Sequence, residues 1–332
     1  MGVATRPVRF GLLSTARINR AVLEGALPSE EVDVVAVASR SLQRAESYAR
    51  EHGIERAHGS YEALLEDPEV DAVYVSLPNA LHVEWSVRAL EAGKHVLCEK
   101  PLAQRPHEVE RAFDAAEAAD RFLAEAFMWR HSPQTARLRE LVEEGAIGEL
   151  RLVRAAFSFL LTDLGDARLR PELDGGSLLD LGCYCVSAIR LLAGEPERVL
   201  GEQVRFSSGV DVRFAAVLSL REGVLAHFDS GFDLPGRGTL EVVGSEGSLI
   251  VEDPWHARRP GIDLLRNSAE PERVEVPQAN SYRLELENLA RAIRGDAEPL
   301  LGRDDALGQA RTLEALRRSA EEGRAVELAE ER

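Results

Sequence analysis

The sequence predicts an α/β fold: a doubly wound parallel sheet at the N-terminus, then a second region with an antiparallel or mixed sheet and helices on one face. Three observations predict it. The chain has 332 residues, which at about 150 residues per domain suggests two domains. Hydrophobic residues make up 45% and charged residues 29%, the balance of a globular protein with a sizeable core. Up to about residue 125, short apolar runs alternate with helical stretches; beyond it, strands follow one another through hairpin-type turns. The expected domains are therefore 1–125 and 126–332.

Taken in order, VRFGLL (8–13) reads as a buried strand. Ile18, Ala21, Val22 and Gly25 follow at helical spacing. VDVVAVAS (32–39) is a β-branched strand with a helix from Ser41. DAVYVSLP (71–78) is a third strand, residues 80–92 a helix closed by Gly93, and HVLCEK (95–100) a strand stopped by Pro101. A helix near 106–120 and the strand-like RFLAEAF (121–127) complete the alternation. Strands and helices of these lengths imply right-handed crossovers and a parallel sheet. In the second region, helices are expected near 133–145 and 176–193, and strands at 149–159, 198–206, 211–220, 224–232, 239–244 and 248–253. Two charged helices, 281–295 and 303–323, close the chain.

Asp plus Glu outnumber Lys plus Arg by 57 to 40, a formal charge of −17. This argues against nucleic acid or an anionic membrane as the main partner, while a local basic pocket for one phosphorylated ligand is allowed. No stretch reads as about 18 consecutive apolar residues, so no spanning helix is expected. The N-terminal MGVATRPVRFGLL runs straight into a strand and makes a poor signal peptide. Cys98, Cys183 and Cys185 are odd in number and show no zinc spacing; no metal is expected, and reduced thiols point to the cytoplasm. Of 40 basic residues, two, Lys94 and Lys100, are lysines. Codon usage or heat adaptation accounts for such a bias, yet lysine can shift its pKa where arginine cannot.

The first strand–helix turn, Gly11-Leu12-Leu13-Ser14-Thr15-Ala16, stands where a dinucleotide fingerprint stands, but Leu13 and Ala16 replace the second and third glycines. Gly11 suits a tight turn, and Ser14 and Thr15 can offer donors to a pyrophosphate. The other reading is an ordinary turn capped by Ser14 or Thr15. The second strand ends in Ser39-Arg40, with no carboxylate for a ribose 2′-hydroxyl. A hydroxyl and a guanidinium suit a 2′-phosphate, favouring NADP(H) over NAD(H); otherwise Ser39 caps the next helix and Arg40 is solvated. Ser76-Leu77-Pro78-Asn79, with His82 a turn later, and Cys98-Glu99-Lys100-Pro101 end two more strands at the same edge, where α/β sheets bind ligands. Lys100 is expected to project there, held extended by its proline, and Lys94, after Gly93, to be a surface lysine. On the 176–193 helix, Asp180 and Tyr184 are four apart and stack on one face. Gly182 between them suggests a close neighbour. Tyr184 is either a general acid/base lowered by a nearby ammonium or a helix-face tyrosine bonded to Asp180. His131 and His227 either line a pocket or are satisfied histidines on a loop and a strand.

These pieces resemble the Gfo/Idh/MocA oxidoreductases over essentially the whole chain: GLLSTARIN (11–19), SLPNALH (76–82), CEKPLA (98–103), EAFMWRHSPQ (125–134), GAIGELRLVRAAFSF (145–159) and GGSLLDLGCY (175–184). The resemblance is greatest to the branch of NADP-dependent D-xylose dehydrogenases, trans-dihydrodiol dehydrogenases and glucose–fructose oxidoreductase. It implies a Rossmann domain and a C-terminal domain with a large, open-faced, mostly antiparallel sheet through which members dimerise or tetramerise. It implies cofactor contacts along Gly11, Ser14, Thr15, Ala16, Arg17, Ile18, Ser39, Arg40, Ser76, Leu77, Pro78, Asn79, His82, Glu99, Lys100 and Arg130. Lys100, Met128, Asp180 and Tyr184 are the implied substrate contacts, with Lys100, Tyr184 and Asp180 catalytic. Tyr184, where inositol-dehydrogenase-like members carry histidine, makes an inositol substrate less expected, and Met128, where dihydrodiol dehydrogenases place tryptophan, weakens an aromatic diol. The expected activity is NADP-dependent hydride transfer to or from a sugar or polyol, first an aldose at C1 giving a lactone. The alternatives are a trans-dihydrodiol dehydrogenase, a nucleotide-sugar ketoreductase, or a non-catalytic NADP-binding regulator.

Overall fold

The computed structural model describes residues 6–267 and 269–328. The outer ends of both expected domains, and residues 1–5 of the stretch judged a poor signal peptide, lie outside the described residues. The chain forms two compact units. The first takes the chain up to Ala103, His107–His131 and Asn280–Ala306; the second takes Gln104–Pro106, Ser132–Ala279 and the chain from Leu307. The border thus falls at His131 rather than 125, and one segment expected in the second domain returns to the first.

The chain opens with β1 (Val8–Leu13), α1 (Asn19–Ala26), β2 (Val32–Ala38), α2 (Leu42–His52), β3 (Arg56–His58) and α3 (Tyr61–Leu65). It continues with β4 (Ala72–Val75), α4 (His82–Glu91), β5 (His95–Glu99), α5 (Pro106–Ala119) and β6 (Leu123–Ala126). All pairings are parallel, in the order β3-β2-β1-β4-β5-β6. The order reverses between β1 and β4, the switch point where such sheets bind ligands at their carboxyl ends. The β-branched runs read from sequence become the buried strands. Serines cap the helices after them: Ser41 accepts from Arg44 N and Ser60 from Ala63 N. Three-residue β3 and five-residue α3 carry too little periodicity to have been read.

The second unit begins with α6 (Pro133–Glu143), β7 (Leu150–Leu160) and α7 (Cys183–Ala193), then β8 (Pro196–Arg205), β9 (Asp211–Leu220), β10 (Leu225–Gly231), β11 (Asp233–Gly244) and β12 (Gly247–Val251). Next come β13 (Ile262–Arg266) and β14 (Glu272–Val274). Then α8 (Ser281–Arg294) returns to the first unit, α9 (Arg303–Glu322) starts in the first and ends in the second, and β15 (Val326–Glu327) joins the sheet. The nine-stranded order is β14-β13-β12-β11-β7-β10-β9-β8-β15, antiparallel except for the parallel β7–β10 pair. On β8, β9 and β10 buried and exposed residues alternate, the signature of a sheet with one covered and one open face.

The return of α8 has a hydrophobic cause. Leu286, Leu289 and Ala290 are buried in the cluster built from Phe10, Leu12, Val22 and Tyr74; each leucine contributes roughly 2 kcal/mol. A Cβ on Gly25 of α1 would stand 2.8 Å from Arg283 N of α8, so the two helices approach with no room for a side chain.

Two expectations fail here. Lys94 is no surface lysine: it is 8% exposed, and its Nζ donates to the carbonyls of Asp67 (2.7 Å) and Val70 (2.8 Å). The helical run Pro171–Ala193 is long and apolar enough to pass for a membrane span, against the expectation of none; 83% of its apolar window is buried in the structure, as in a core helix.

Candidate active site

Within the first unit, the dinucleotide-like turn is built differently from its glycine pattern. Gly11 lies inside β1, not in the turn, where a Cβ would meet Leu64 Cδ2 at 2.8 Å; its role is packing β1 on α3. Ser14 is buried, its hydroxyl 2.9 Å from both the carbonyl and the hydroxyl of Ser76, and it accepts from Ala16 N. It ties the ends of β1 and β4 together. Asn19, which sequence reading did not single out, is fully buried and donates to Ser14 O at 2.7 Å. Thr15, Ala16 and Ile18 are half-buried and Arg17 exposed. No side chain caps α1; the N–H groups of Asn19, Arg20 and Ala21 donate instead to the carbonyls of Ala16, Arg17 and Ile18. At the end of β2, Ser41 and not Ser39 caps α2, which removes the capping explanation for Ser39. Ser39 is 7% exposed and Arg40 exposed, with no carboxylate at that strand end. This donor set fits a dinucleotide carrying a 2′-phosphate.

The turn after β5 carries Lys100, half-buried, joined to Pro101 by a cis peptide. Three side chains from three elements clamp it. Tyr74 of β4, fully buried, donates its hydroxyl to Glu99. His82 at the start of α4 is fully buried, with Nδ1 2.8 Å from Pro101 O and Nε2 2.8 Å from Leu77 O. Burial lowers its pKa to about 4, the carbonyls opposing and Lys100 adding a small push the same way. Glu125 of β6, 3% exposed, accepts from Leu102 N at 2.7 Å. His82 was expected to touch the cofactor; being sealed from solvent, it braces the Ser76–Asn79 turn against the lysine turn instead. Beneath lies Glu285 of α8, 1% exposed, whose carboxyl pKa is raised well above the usual range by burial and then by Glu99.

Met128 is buried and Arg130 donates to Asp305 Oδ1 at 3.1 Å. His131 is held neutral by burial, its pKa lowered to about 4, and His227 stands exposed on β10.

Within the second unit, the helix carrying Asp180 and Tyr184 is not one α-helix. Leu178–Gly182 is a single π-helical turn and α7 begins at Cys183. Such single π turns are frequent at functional sites. Asp180 accepts from Arg168 Nε at 2.6 Å, and Arg168 also reaches Asp166 at 3.4 Å. The charge of Asp180 raises the Arg168 pKa against its burial. Tyr184, 8% exposed, packs edge-on to Phe157 (5.3 Å between centroids) and Trp255 (5.8 Å). The close neighbour foreseen at Gly182 is present: a Cβ there would lie 3.0 Å from Leu178 Cδ1 and 3.3 Å from Phe228 Cε2. Gly175 and Gly176 bring the preceding strap close: Gly176 N donates to Arg168 O at 2.9 Å, and a Cβ on Gly175 would stand 2.4 Å from that oxygen. His256 was also missed. Its ring lies 5.9 Å from that of Phe157, and nothing in an irregular loop marks such a residue by spacing.

Residues 8–127 match the family described as "Oxidoreductase family, NAD-binding Rossmann fold", and residues 135–250 match the GFO/IDH/MocA C-terminal domain. The chain is 40% identical over 323 residues to D-xylose 1-dehydrogenase (NADP(+)) 2 of Haloferax volcanii, covering 96% of this chain and 99% of that one. It is 35% identical to the dTDP-3,4-didehydro-2,6-dideoxy-α-D-glucose 3-reductase of Actinomadura kijaniata, over 95% and 96% of the two chains. Among solved structures, a 3-ketoreductase from Actinomadura kijaniata in complex with NADP and TDP-benzene superposes with a TM-score of 0.89 at 34% identity, over 94% and 98% of the chains. Aldose-aldose oxidoreductase from Caulobacter crescentus gives 0.90 at 29% identity, over 97% and 100%.

Proposed function

The chain belongs to the Gfo/Idh/MocA oxidoreductases, and from that premise we propose that it is an NADP-dependent sugar dehydrogenase that oxidises an aldose such as xylose or glucose at C1 to the lactone. The observation that carries this reading is the end-to-end likeness to a D-xylose 1-dehydrogenase. Ser39-Arg40 at the end of β2 supports NADP(H) over NAD(H), as does the NADP held by the similar ketoreductase.

When bound, the nicotinamide supplies the carbon that takes the hydride from C1. Tyr184 takes the proton of the reacting hydroxyl as the C–H bond breaks, and Lys100 donates to the same oxygen and stabilises its developing negative charge. Asp180, paired with Arg168, orients a sugar hydroxyl. The clamps on Glu99, Pro101 and Leu102 fix the peptide that carries Lys100. Ser39 and Arg40 would hold the 2′-phosphate, and the turn from Ser14 to Ile18 would receive the pyrophosphate. The reduced, buried cysteines accord with a cytoplasmic enzyme. The open sheet face, with Leu200, Val204, Val217 and Leu225 exposed, carries the proposed homodimer or homotetramer contact.

The test is a panel of aldoses and polyols with NAD⁺ and NADP⁺. D-Xylose or D-glucose turnover with NADP⁺ well above NAD⁺ is expected. NADPH binding without turnover would instead mark a regulator. The second reading, reduction of a nucleotide-linked ketodeoxysugar, is favoured by the likeness to the dTDP-sugar 3-reductases. A trans-dihydrodiol dehydrogenase of Danio rerio, 36% identical over 79% of each chain, keeps aromatic diols on the panel.

A further inference from the structure

The loop from Asp253 to Gly261 is held more firmly than a connection between β12 and β13 requires. Gln134 of α6, 1% exposed, grips both ends: its Nε2 donates to Asp253 O (3.0 Å) and its Oε1 accepts from Gly261 N (2.9 Å). Trp255, 1% exposed, anchors the middle, donating from Nε1 to Ala156 O of β7 at 3.1 Å. Asp253 accepts from Ala257 N and, through Oδ2, from Arg258 N. Gln278 donates to Ala257 O at 3.1 Å. The loop so fixed contains Ala257 at φ +48°, a left-handed conformation that costs a non-glycine residue on the order of 1 kcal/mol and gathers at binding sites.

What this frame presents is His256. Its side chain is 31% exposed, and its Nδ1 lies 3.9 Å from Asp253 Oδ1. Its ring stands edge-on to Phe157, whose ring also meets Tyr184 and stacks on Trp255 at 5.7 Å. Phe157 is itself half-exposed. An aromatic face beside a ring that can donate and accept hydrogen bonds is what a sugar engages, its C–H face on the one and a hydroxyl on the other.

We propose that His256 is a specificity-determining residue of the sugar site, binding a hydroxyl other than the reacting one while the sugar lies on Phe157. This rests on Tyr184 marking the reacting end of a sugar site, but not on which carbon is oxidised. A pocket built to bond a hydroxyl penalises the analogue that lacks it far more than a hydrophobic wall does.

The experiment compares the wild type with His256→Phe, which keeps a ring without its hydrogen bonds, and His256→Asn, which restores one. Two quantities are read: kcat and KM for D-xylose, D-glucose and their monodeoxy analogues with NADP⁺, and calorimetric affinity for the same sugars on the NADPH-loaded protein, where no oxidation occurs. His256→Phe should raise KM and weaken sugar affinity by about 10- to 100-fold with a smaller change in kcat. It should cancel the discrimination against one monodeoxy sugar and leave the KM for NADP⁺ unchanged, with His256→Asn intermediate. Unchanged affinity and undiminished discrimination in His256→Phe, with wild-type turnover intact, would overturn the proposal and leave the dehydrogenase reading standing. Sugar affinity lost with His256 in a protein that oxidises no aldose would do the reverse. No sugar binding by the wild type overturns both.

Discussion

The turn that carries Lys100 and the helix start that carries Tyr184 hold their side chains by opposite means. Around Lys100 the backbone is gripped by buried polar groups: Tyr74 on Glu99, His82 on Pro101 O and Glu125 on Leu102 N. Around Tyr184 the grip is aromatic, from Phe157 and Trp255, with one ion pair, Arg168–Asp180, alongside. Polar clamps fix a peptide plane but each leaves an unsatisfied buried group when cut. Aromatic packing fixes a ring and degrades by degrees. The lysine turn should therefore fail sharply and the tyrosine helix gradually.

Removal of the two proposed catalytic groups comes first. Tyr184→Phe and Lys100→Met should each lower kcat by roughly 10²–10⁴-fold while NADPH fluorescence titration remains that of the wild type. Near-normal turnover in either variant would end that residue's proposed role. Next, Glu125→Ala should cost about 1–3 kcal/mol of stability by orphaning Leu102 N, read by denaturant unfolding, and take most of the turnover with it. A soluble, fully active Glu125→Ala protein would show that the clamp does not set the lysine. Arg168→Met, on the other region, should lower kcat/KM for sugar by about tenfold with a smaller loss in unfolding midpoint, because the pair is partly open to solvent. A loss of stability as large as that of Glu125→Ala would erase the contrast.

The smallest effect concerns Glu285. Its pKa is raised in the folded chain, so above the ordinary carboxyl pKa of 4.5 the unfolded chain releases a proton that the folded one retains. Stability from this group is then present below that value and is lost as pH rises. Glu285→Gln should raise Tm at pH 8 more than at pH 5, by at least the ~2–4 °C that 1 kcal/mol is worth at this size. An equal shift at both values would mean the carboxyl is charged in the folded chain.

How much of this was legible depended on range. The strand cores could be read because adjacent residues carry the signal. The roles of Lys100 and Tyr184 came with the family likeness, not from their spacing. Lys94 was misread because its partners, the carbonyls of Asp67 and Val70, lie more than twenty residues away and leave no mark beside Gly93. The π turn over Leu178–Gly182 was read as ordinary α-helix because it carries no sequence period of its own. His82 was read as a contact because a strand-end histidine is compatible with one; only its complete burial shows that both ring nitrogens face the backbone.

The packing of Leu286, Leu289 and Ala290 against Phe10 and Leu12 sets a timetable for synthesis. A ribosome makes β1 to β6 well before it makes α8, so the nascent parallel sheet waits with an uncovered flank until the intervening strands β7 to β14 have been translated. Cutting the gene at the apparent border would freeze that unfinished intermediate.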